Sequence, residues 1–580
     1  MRSSRSRGLG VAVMASLALA IPTALVEGAT LNAAHSATSA AAPTGDCAEA
    51  YPVSEVTVDQ DVHGLSTTQG VTPSGFTGKV LGVLKDGVLP GIDLVMARLD
   101  SPTIQQVGGI WQGMSGSPVY AQDGRLIGAV AYGFSFGPSP VAGITPFEQM
   151  QTSLNTSLPQ QLKVGDRTAR LLARTTDVSQ TQASQGFSQL PTPLSVAGVP
   201  ARFLHRTPRR AWQPESASVA GAAPAATTPT AADIVAGGNL GVTMSTGDIT
   251  QGAIGTVTSV CDGLVRGFGH PFNLLGKTTY GMSGAETLYI QEDPAGTPFT
   301  MANFGPTVGT IDQDRNVGVS GPLGVLPHGT EVTSVLTHGP DQRTSESVVT
   351  IQEALAQTTN YALVVNHLRV LDSFPPGAEE QGWTITGTAG GEPFVLQAGN
   401  RYADSLDITG IAQWDLPDLV WALSLIPDVT VDSVTGTSTV TDDPSGFRLA
   451  KVQQRRGGLW VTVNRLNPAI VKAGRLLVLR LVLTNPSGNQ TVPVTYRVPR
   501  AAAGLRGQVS FFPGLPFPFE TGEMPGTFDE VQKMVSTFVR NDQFDSRLSL
   551  FGGAIQKQKK TTPATRVVSG NRRFPVIVVR

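Results

Sequence analysis

The chain is short of charge and nearly empty of cysteine. Charged residues make up 15% of its 580 positions, against about 25% in an average soluble protein. Its 42 basic and 44 acidic residues leave a net charge of −2. No arginine or lysine run is dense enough to follow a phosphate backbone, which argues against nucleic acid as a partner. There is no CxxC pair, no HExxH and no Walker-type glycine loop, so the sequence implies neither a metal nor a cofactor. Asp312, Asp314 and Asn316 have the alternation of a calcium loop but lack its glycine and distal glutamate. Past the N-terminus no segment is apolar enough to span a bilayer.

The first residues have a different character. MRSSRSR is a basic stretch, GLGVAVMASLALAIPTALV is apolar, and AAHSATSAAAP is a run of small residues. That order predicts a secretory signal peptide over 1–42 and an exported, secreted or cell-envelope protein. A retained membrane anchor is the alternative, because the apolar run approaches spanning length. The only cysteines, Cys47 and Cys261, form an even pair, which in an exported chain is compatible with a disulfide.

What the chain has in abundance is 65 Gly and 41 Pro, a composition for short strands and turns. Its length predicts roughly three or four domains. Between 43 and 165 short β-type runs alternate with turns, and YAQDGRLIGAV reads as a hairpin around Asp123-Gly124. Residues 166–205 connect to an Ala/Pro/Thr-rich stretch at 206–236, which reads as a protease-exposed linker. A second glycine-rich β segment covers 237–345. A helix and sandwich-like strands follow over 346–500, with Asn485-Pro486-Ser487-Gly488 joining two alternating runs. An α+β segment closes the chain over 501–580. Within it Thr527 and Glu530 form a capping box before the apolar face Val531, Met534, Val535, Phe538 and Val539.

Two serines share the setting GMSG, Ser115 and Ser283. A serine hydroxyl attacks a carbonyl only with a base beside it, a group orienting that base, and donors for the oxyanion. Gly113 and Gly116 free the backbone around Ser115 to turn its N–H groups inward. Ser283 lacks the following Ser-Pro and reads as a turn. Among His35, His63, His205, His270, His328, His338 and His367, the best placed base is His270, in RGFGHPFN after a strand-like run. A histidine in such a turn is otherwise commonly exposed and inert.

GGIWQGMSGSPVYAQDGRLIGAV resembles the nucleophile region of the SpoIVB peptidase family, serine peptidases related in fold to chymotrypsin. GFGHPFN with GTIDQDRNVGVSG resembles that family's histidine half. The resemblance implies Ser115 as nucleophile, His270 as base and Asp100 as the acidic member, with Asp93 nearby as a competitor. It further implies an oxyanion hole from the Gly113 and Ser115 amides. It departs from the family in that here the serine half precedes the histidine half, so the halves look permuted, and in that no peptide-binding PDZ module is evident, so a sporulation role is not carried over. Met114 stands where trypsin-like enzymes keep an aspartate for a new N-terminus, which removes that activation switch.

The expected fold is therefore mainly β: a chymotrypsin-like double barrel from 43–165 and 237–345, then sandwich-like and α+β segments. The expected activity is that of a secreted serine endopeptidase acting on proteins or peptides, with self-cleavage in 206–236. The competing expectation is an inactive envelope scaffold that binds a protein or glycan through its C-terminal β domains. A secreted inhibitor or matrix protein is a third.

Overall fold

A computed structural model describes residues 47–580 except 135–136, 152–160, 163–169, 171–172, 175–186, 192–193, 205–209, 214–216, 223–227, 295, 516–523 and 553–554. The signal peptide expected over 1–42, His35 and His205 lie outside the described residues.

The first barrel grows from the short runs between glycine turns. β1 (Asp61–Ser66) buries every second residue, as a strand with one face on a core does. β2 (Ser74–Leu89), β3 (Ile92–Asp100), β4 (Pro118–Ala121), β5 (Leu126–Phe134) and β6 (Val141–Pro146) follow. Their order β4-β1-β2-β3-β6-β5, with β4 pairing back on β5, closes six strands into a barrel. β4 and β5 are the hairpin expected around Asp123-Gly124. β4, β5 and β6 are buried at every position, because their outer faces meet a second barrel.

That barrel consists of β7 (Asn239–Gly247), β8 (Thr250–Cys261), β9 (Leu264–Gly267), β10 (Gly276–Gln291), β11 (Phe299–Arg315) and β12 (Gly318–Pro322). The order β8-β9-β12-β11-β10-β7 closes through a β7–β8 pairing, and every pair is antiparallel. The fold is thus mainly β and contains the double barrel, serine half first. The second GMSG lies inside β10, not in a turn. The register slips at Met282, Ser283 and Ala285, so its glycines mark bulges, where a strand tolerates them.

Sheet pairing does not stop at residue 345. β7 also pairs with Asp341–Val349, which leads through Thr330–His338 and Val429–Thr441 to Gly377–Ala389 and Glu392–Asp404. The helix Leu355–Leu371 packs on this extension and is buried along most of its length. Nor do residues 501–580 form a unit of their own. Strands Arg506–Pro513, Phe544–Leu550, Ile555–Lys560 and Arg572–Val579 join Ala469–Lys472 in one sheet. It faces the sheet of Phe447–Arg456, Leu459–Val463, Leu476–Asn485 and Gly488–Arg497 across a shared core that includes Leu479, Leu481, Phe511 and Val576. The helix Phe528–Thr537 shows half of the expected capping box: Thr527 Oγ1 accepts from the Glu530 amide, whereas the Glu530 carboxylate accepts from the Gly526 amide at 2.8 Å. Its Val531 is fully buried against the core of the barrel extension.

The stretch read as a linker is partly fastened. Arg210 Nε lies 2.9 Å from the Asp418 carboxylate, and the Trp212 indole N–H donates to the same group at 2.9 Å. Residues Ser218–Val219 and Gly221–Ala222 pair into the sheet. A buried aromatic, an ion pair and two short strand pairings anchor the described residues of a segment whose composition otherwise offers no core.

Candidate active site

The loop that carries Ser115 joins a short helix to β4. The helix, α1 (Pro102–Val107), starts at Ser101, whose Oγ accepts from the Ile104 amide, and ends at Gly108 with φ +81°. Trp111 and Met114 then drive the chain into the first barrel's core, where both are essentially unexposed. Burial of each such side chain contributes about 1.5–3 kcal/mol. Met114 thus fixes the loop by packing at the position where an ion pair was to be excluded. Gly113 and Gly116 have φ of +102° and +101°, the region closed to other L residues. The turn they permit places Ser115 against β8.

Hydrogen bonds from the second barrel hold it there. The Thr256 amide donates to the Ser115 carbonyl at 2.7 Å. Thr256 Oγ1 donates to the Gly113 carbonyl at 2.8 Å and Thr258 Oγ1 to the Gly116 carbonyl at 2.7 Å. A Cβ on Gly116 would lie 1.9 Å from the Thr256 carbonyl oxygen, so the close approach also requires glycine.

His270 reaches the same point from the end of β9. The Gly269 amide donates to the Gly267 carbonyl at 2.8 Å, and Phe268 between them has φ +67°, a strained three-residue turn of the kind found at functional sites. Thr145 Oγ1 of the first barrel donates to the Gly269 carbonyl at 2.7 Å. His270 Nε2 then lies 2.9 Å from Ser115 Oγ, across 155 residues of sequence. Its Nδ1 lies 2.8 Å from the Pro271 carbonyl oxygen. A carbonyl only accepts, so Nδ1 carries the proton and Nε2 faces the serine as an acceptor. Burial lowers the His270 pKa to about 4, against an upward pull from the Pro271 carbonyl. At neutral pH the ring is a neutral base.

The expected acidic member is elsewhere. Asp100 ends β3 on the exposed face and accepts from Gln105 Nε2 at 2.8 Å. Asp93 pairs with Lys85 at 2.7 Å. The sequence Asp-Ser-Pro starts α1, and this turns Asp100 toward solvent. The group that meets Nδ1 is a main-chain carbonyl, and no reading of side chains would have found it. Gln189 Nε2 donates to the same carbonyl at 2.9 Å. Asp314, which lies in the GTIDQDRNVGVSG stretch but to which the sequence gives no catalytic part, accepts from the amides of Phe272, Asn273 and Leu275.

Among the described residues, the amides of Gly113 and Ser115 donate to no protein acceptor, which leaves both available to an oxyanion. The site is closed, however. Ser115 and His270 are each 0% exposed. Residues 297–300, at the end of the β10–β11 tip and the start of β11, lie along the loop: the Gln112 amide donates to the Pro298 carbonyl at 2.7 Å and the Thr300 amide to the Gln112 carbonyl at 2.9 Å. The Thr300 hydroxyl sits so close over Gly113 that a Cβ there would meet it at 2.3 Å.

The other candidates stand apart. Ser283 is buried in strand pairing with Gly241 and Thr307, and its hydroxyl has no hydrogen-bond partner among the described residues. His63 is exposed and stacks on Tyr120, His338 pairs with Asp442, and His367 is buried against Glu379 at 2.8 Å. Cys47 and Cys261 form a disulfide, tying the first barrel's leading segment to the end of β8.

Residues 60–150 match the family described as SpoIVB peptidase S55. The match takes in the first barrel and Ser115 and ends before the histidine half. Neither a curated protein nor a solved structure matches the chain.

Proposed function

We propose that this chain, with a SpoIVB-peptidase-like first barrel set against a histidine from the second, is a serine endopeptidase. The observation that carries the reading is the 2.9 Å contact between Ser115 Oγ and His270 Nε2, with the ring's other nitrogen engaged so that Nε2 accepts. In the reaction Ser115 Oγ attacks the scissile carbonyl carbon as its proton passes to His270 Nε2. The Gly113 and Ser115 amides receive the oxyanion. The C–N bond then breaks, His270 returns the proton to the leaving amine, and water repeats the sequence on the acyl-enzyme with His270 again as base. Asp100 has no part in this scheme.

The substrate is a protein or peptide, and it enters when residues 297–300 lift from Gln112. The disulfide between Cys47 and Cys261 supports export to an oxidising compartment. Among the described residues no helix is long and apolar enough to cross a membrane. Self-cleavage in 206–236 is not part of the proposal, because its described residues are anchored through Arg210, Trp212 and two short strands. The sandwich has no assigned ligand.

The complete burial of Ser115 and His270 favours a second reading, a scaffold that keeps the barrels with a sealed site. Incubating the mature chain with a diverse protein substrate mixture and sequencing new termini separates the two. The peptidase reading expects new termini from the wild type and none from Ser115→Ala. Identical termini from both would favour the scaffold.

A further inference from the structure

We infer that Asp314 positions and polarises the catalytic histidine through the Pro271–Phe272 peptide group, taking the part an aspartate side chain plays when it touches the ring directly. The inference rests on the peptidase reading for its catalytic meaning.

The geometry is a chain of three links. Asp314 lies near the end of β11, fully buried. One carboxylate oxygen accepts from the Phe272 amide at 2.8 Å. The other accepts from the Asn273 amide at 2.8 Å and the Leu275 amide at 3.3 Å. Leu274, with φ +57°, bends the chain so that these N–H groups converge on the carboxylate, an arrangement suited to holding an anion. Among the described residues no lysine or arginine forms an ion pair with Asp314. Its counterpart is the loop itself. Burial raises its pKa above the ordinary carboxylate value, and the loop amides offset part of that rise.

The peptide between Pro271 and Phe272 is planar, and in its trans form the carbonyl and the N–H point in opposite directions. The N–H meets Asp314, so the carbonyl faces the other way, where His270 Nδ1 meets it at 2.8 Å. A charge-assisted bond at the N–H draws electron density onto the carbonyl oxygen and strengthens the bond that oxygen accepts. The effect is greatest when His270 becomes an imidazolium as Ser115 attacks. A base whose pKa burial lowers to about 4 needs such support in the transition state. Gln189 Nε2 donates to the same carbonyl at 2.9 Å and helps to hold its direction.

Asp314→Asn tests this. It leaves one oxygen and turns an NH₂ toward an amide donor. Two quantities are read on the full mature chain: the rate of fluorophosphonate labelling per reactive site, normalised by the final extent, and the Nδ1–H tautomer of His270 by ¹⁵N NMR. The expected result is a per-site rate lower by about 10–100-fold and a weakened Nδ1–H signal, with the labelled fraction unchanged. A lower labelled fraction at an unchanged per-site rate would mean that Asp314 serves folding only and would overturn the inference, as would an unchanged rate and tautomer. If Asp314→Asn does not fold, Asp314→Glu, which keeps the charge but displaces it, is read by the same two quantities. If the wild type does not label at all, the peptidase reading fails, and the tautomer comparison alone decides whether Asp314 controls His270.

Discussion

Thr256 donates its amide to the carbonyl of Ser115 at 2.7 Å, so the Ser115 loop of one barrel is completed by a strand of the other. Chain order does not matter to such a contact. β8 presents the same donors whether its barrel precedes or follows the serine, and a serine–histidine pair is defined by geometry.

The two barrels are also joined covalently, and this gives a stability prediction. Replacing Cys47 and Cys261 by serine should lower unfolding free energy by about 2–5 kcal/mol, measured by denaturant titration under oxidising conditions. Labelling of Ser115 should fall in the same denaturant range, since the nucleophile loop depends on β8. Equal stability of the two forms would show that the bridge adds nothing to the barrel contact.

Asp100 should be dispensable. It is exposed and its partner is Gln105, so Asp100→Asn is expected to change kcat/KM by less than about threefold, in line with a surface substitution costing about 0.5 kcal/mol or less. A loss of two orders of magnitude or more would put an acidic residue beside His270 in the working enzyme.

The buried histidine sets a pH dependence with a definite sign. An unfolded histidine protonates near its ordinary pKa of 6.5, whereas burial lowers that of His270 to about 4. Between those values the unfolded state binds more protons, so stability falls as pH drops from 6.5 toward 4, by on the order of 3 kcal/mol in total. Denaturant titrations at pH 7 and pH 5 should show a smaller difference for His270→Phe than for the wild type. His367 contributes in the opposite direction. Burial disfavours its charge, yet Glu379 raises its pKa overall, so its share is present below 6.5 and is lost as pH rises through the raised value.

Residues 297–300 should limit access to the site. Thr300→Ala removes the hydroxyl over Gly113 and its 3.1 Å bond to the Gln112 carbonyl, a bond worth about 0.5–1.5 kcal/mol. The fluorophosphonate labelling rate is expected to rise by roughly 2–10-fold. A rate that falls or does not move would mean that substrate enters by another route.

The two residues that meet at 2.9 Å were legible because glycine and proline punctuation is local: Gly113 and Gly116 bend the backbone at Ser115, and Gly269 and Pro271 isolate His270. The sequence also carried the hairpin at Asp123-Gly124 and the cap at Thr527, each a matter of four or five residues. It misled at Asp100, because Asp-Ser-Pro is equally the start of a helix, and Ser101 caps one. The orienting carbonyl of Pro271 leaves no side-chain signature, and Asp314 acts through main-chain amides. The register slips in β10 made a strand look like a turn at Ser283. The fastening of Arg210 and Trp212 on Asp418 spans 208 and 206 residues, beyond what local composition reports. The sandwich was legible only in its first half, since its second sheet is completed by strands from beyond residue 500.

The most direct test of the central claim is intact mass after fluorophosphonate treatment of the wild type, Ser115→Ala, His270→Ala and Ser283→Ala. Phosphonylation forms an Oγ–P bond and expels fluoride, and it requires a hydroxyl activated by a base. One adduct on the wild type and on Ser283→Ala, with none on Ser115→Ala and a rate lowered by at least about 100-fold on His270→Ala, is the predicted result. An unlabelled wild type, or an adduct that survives Ser115→Ala, would contradict it.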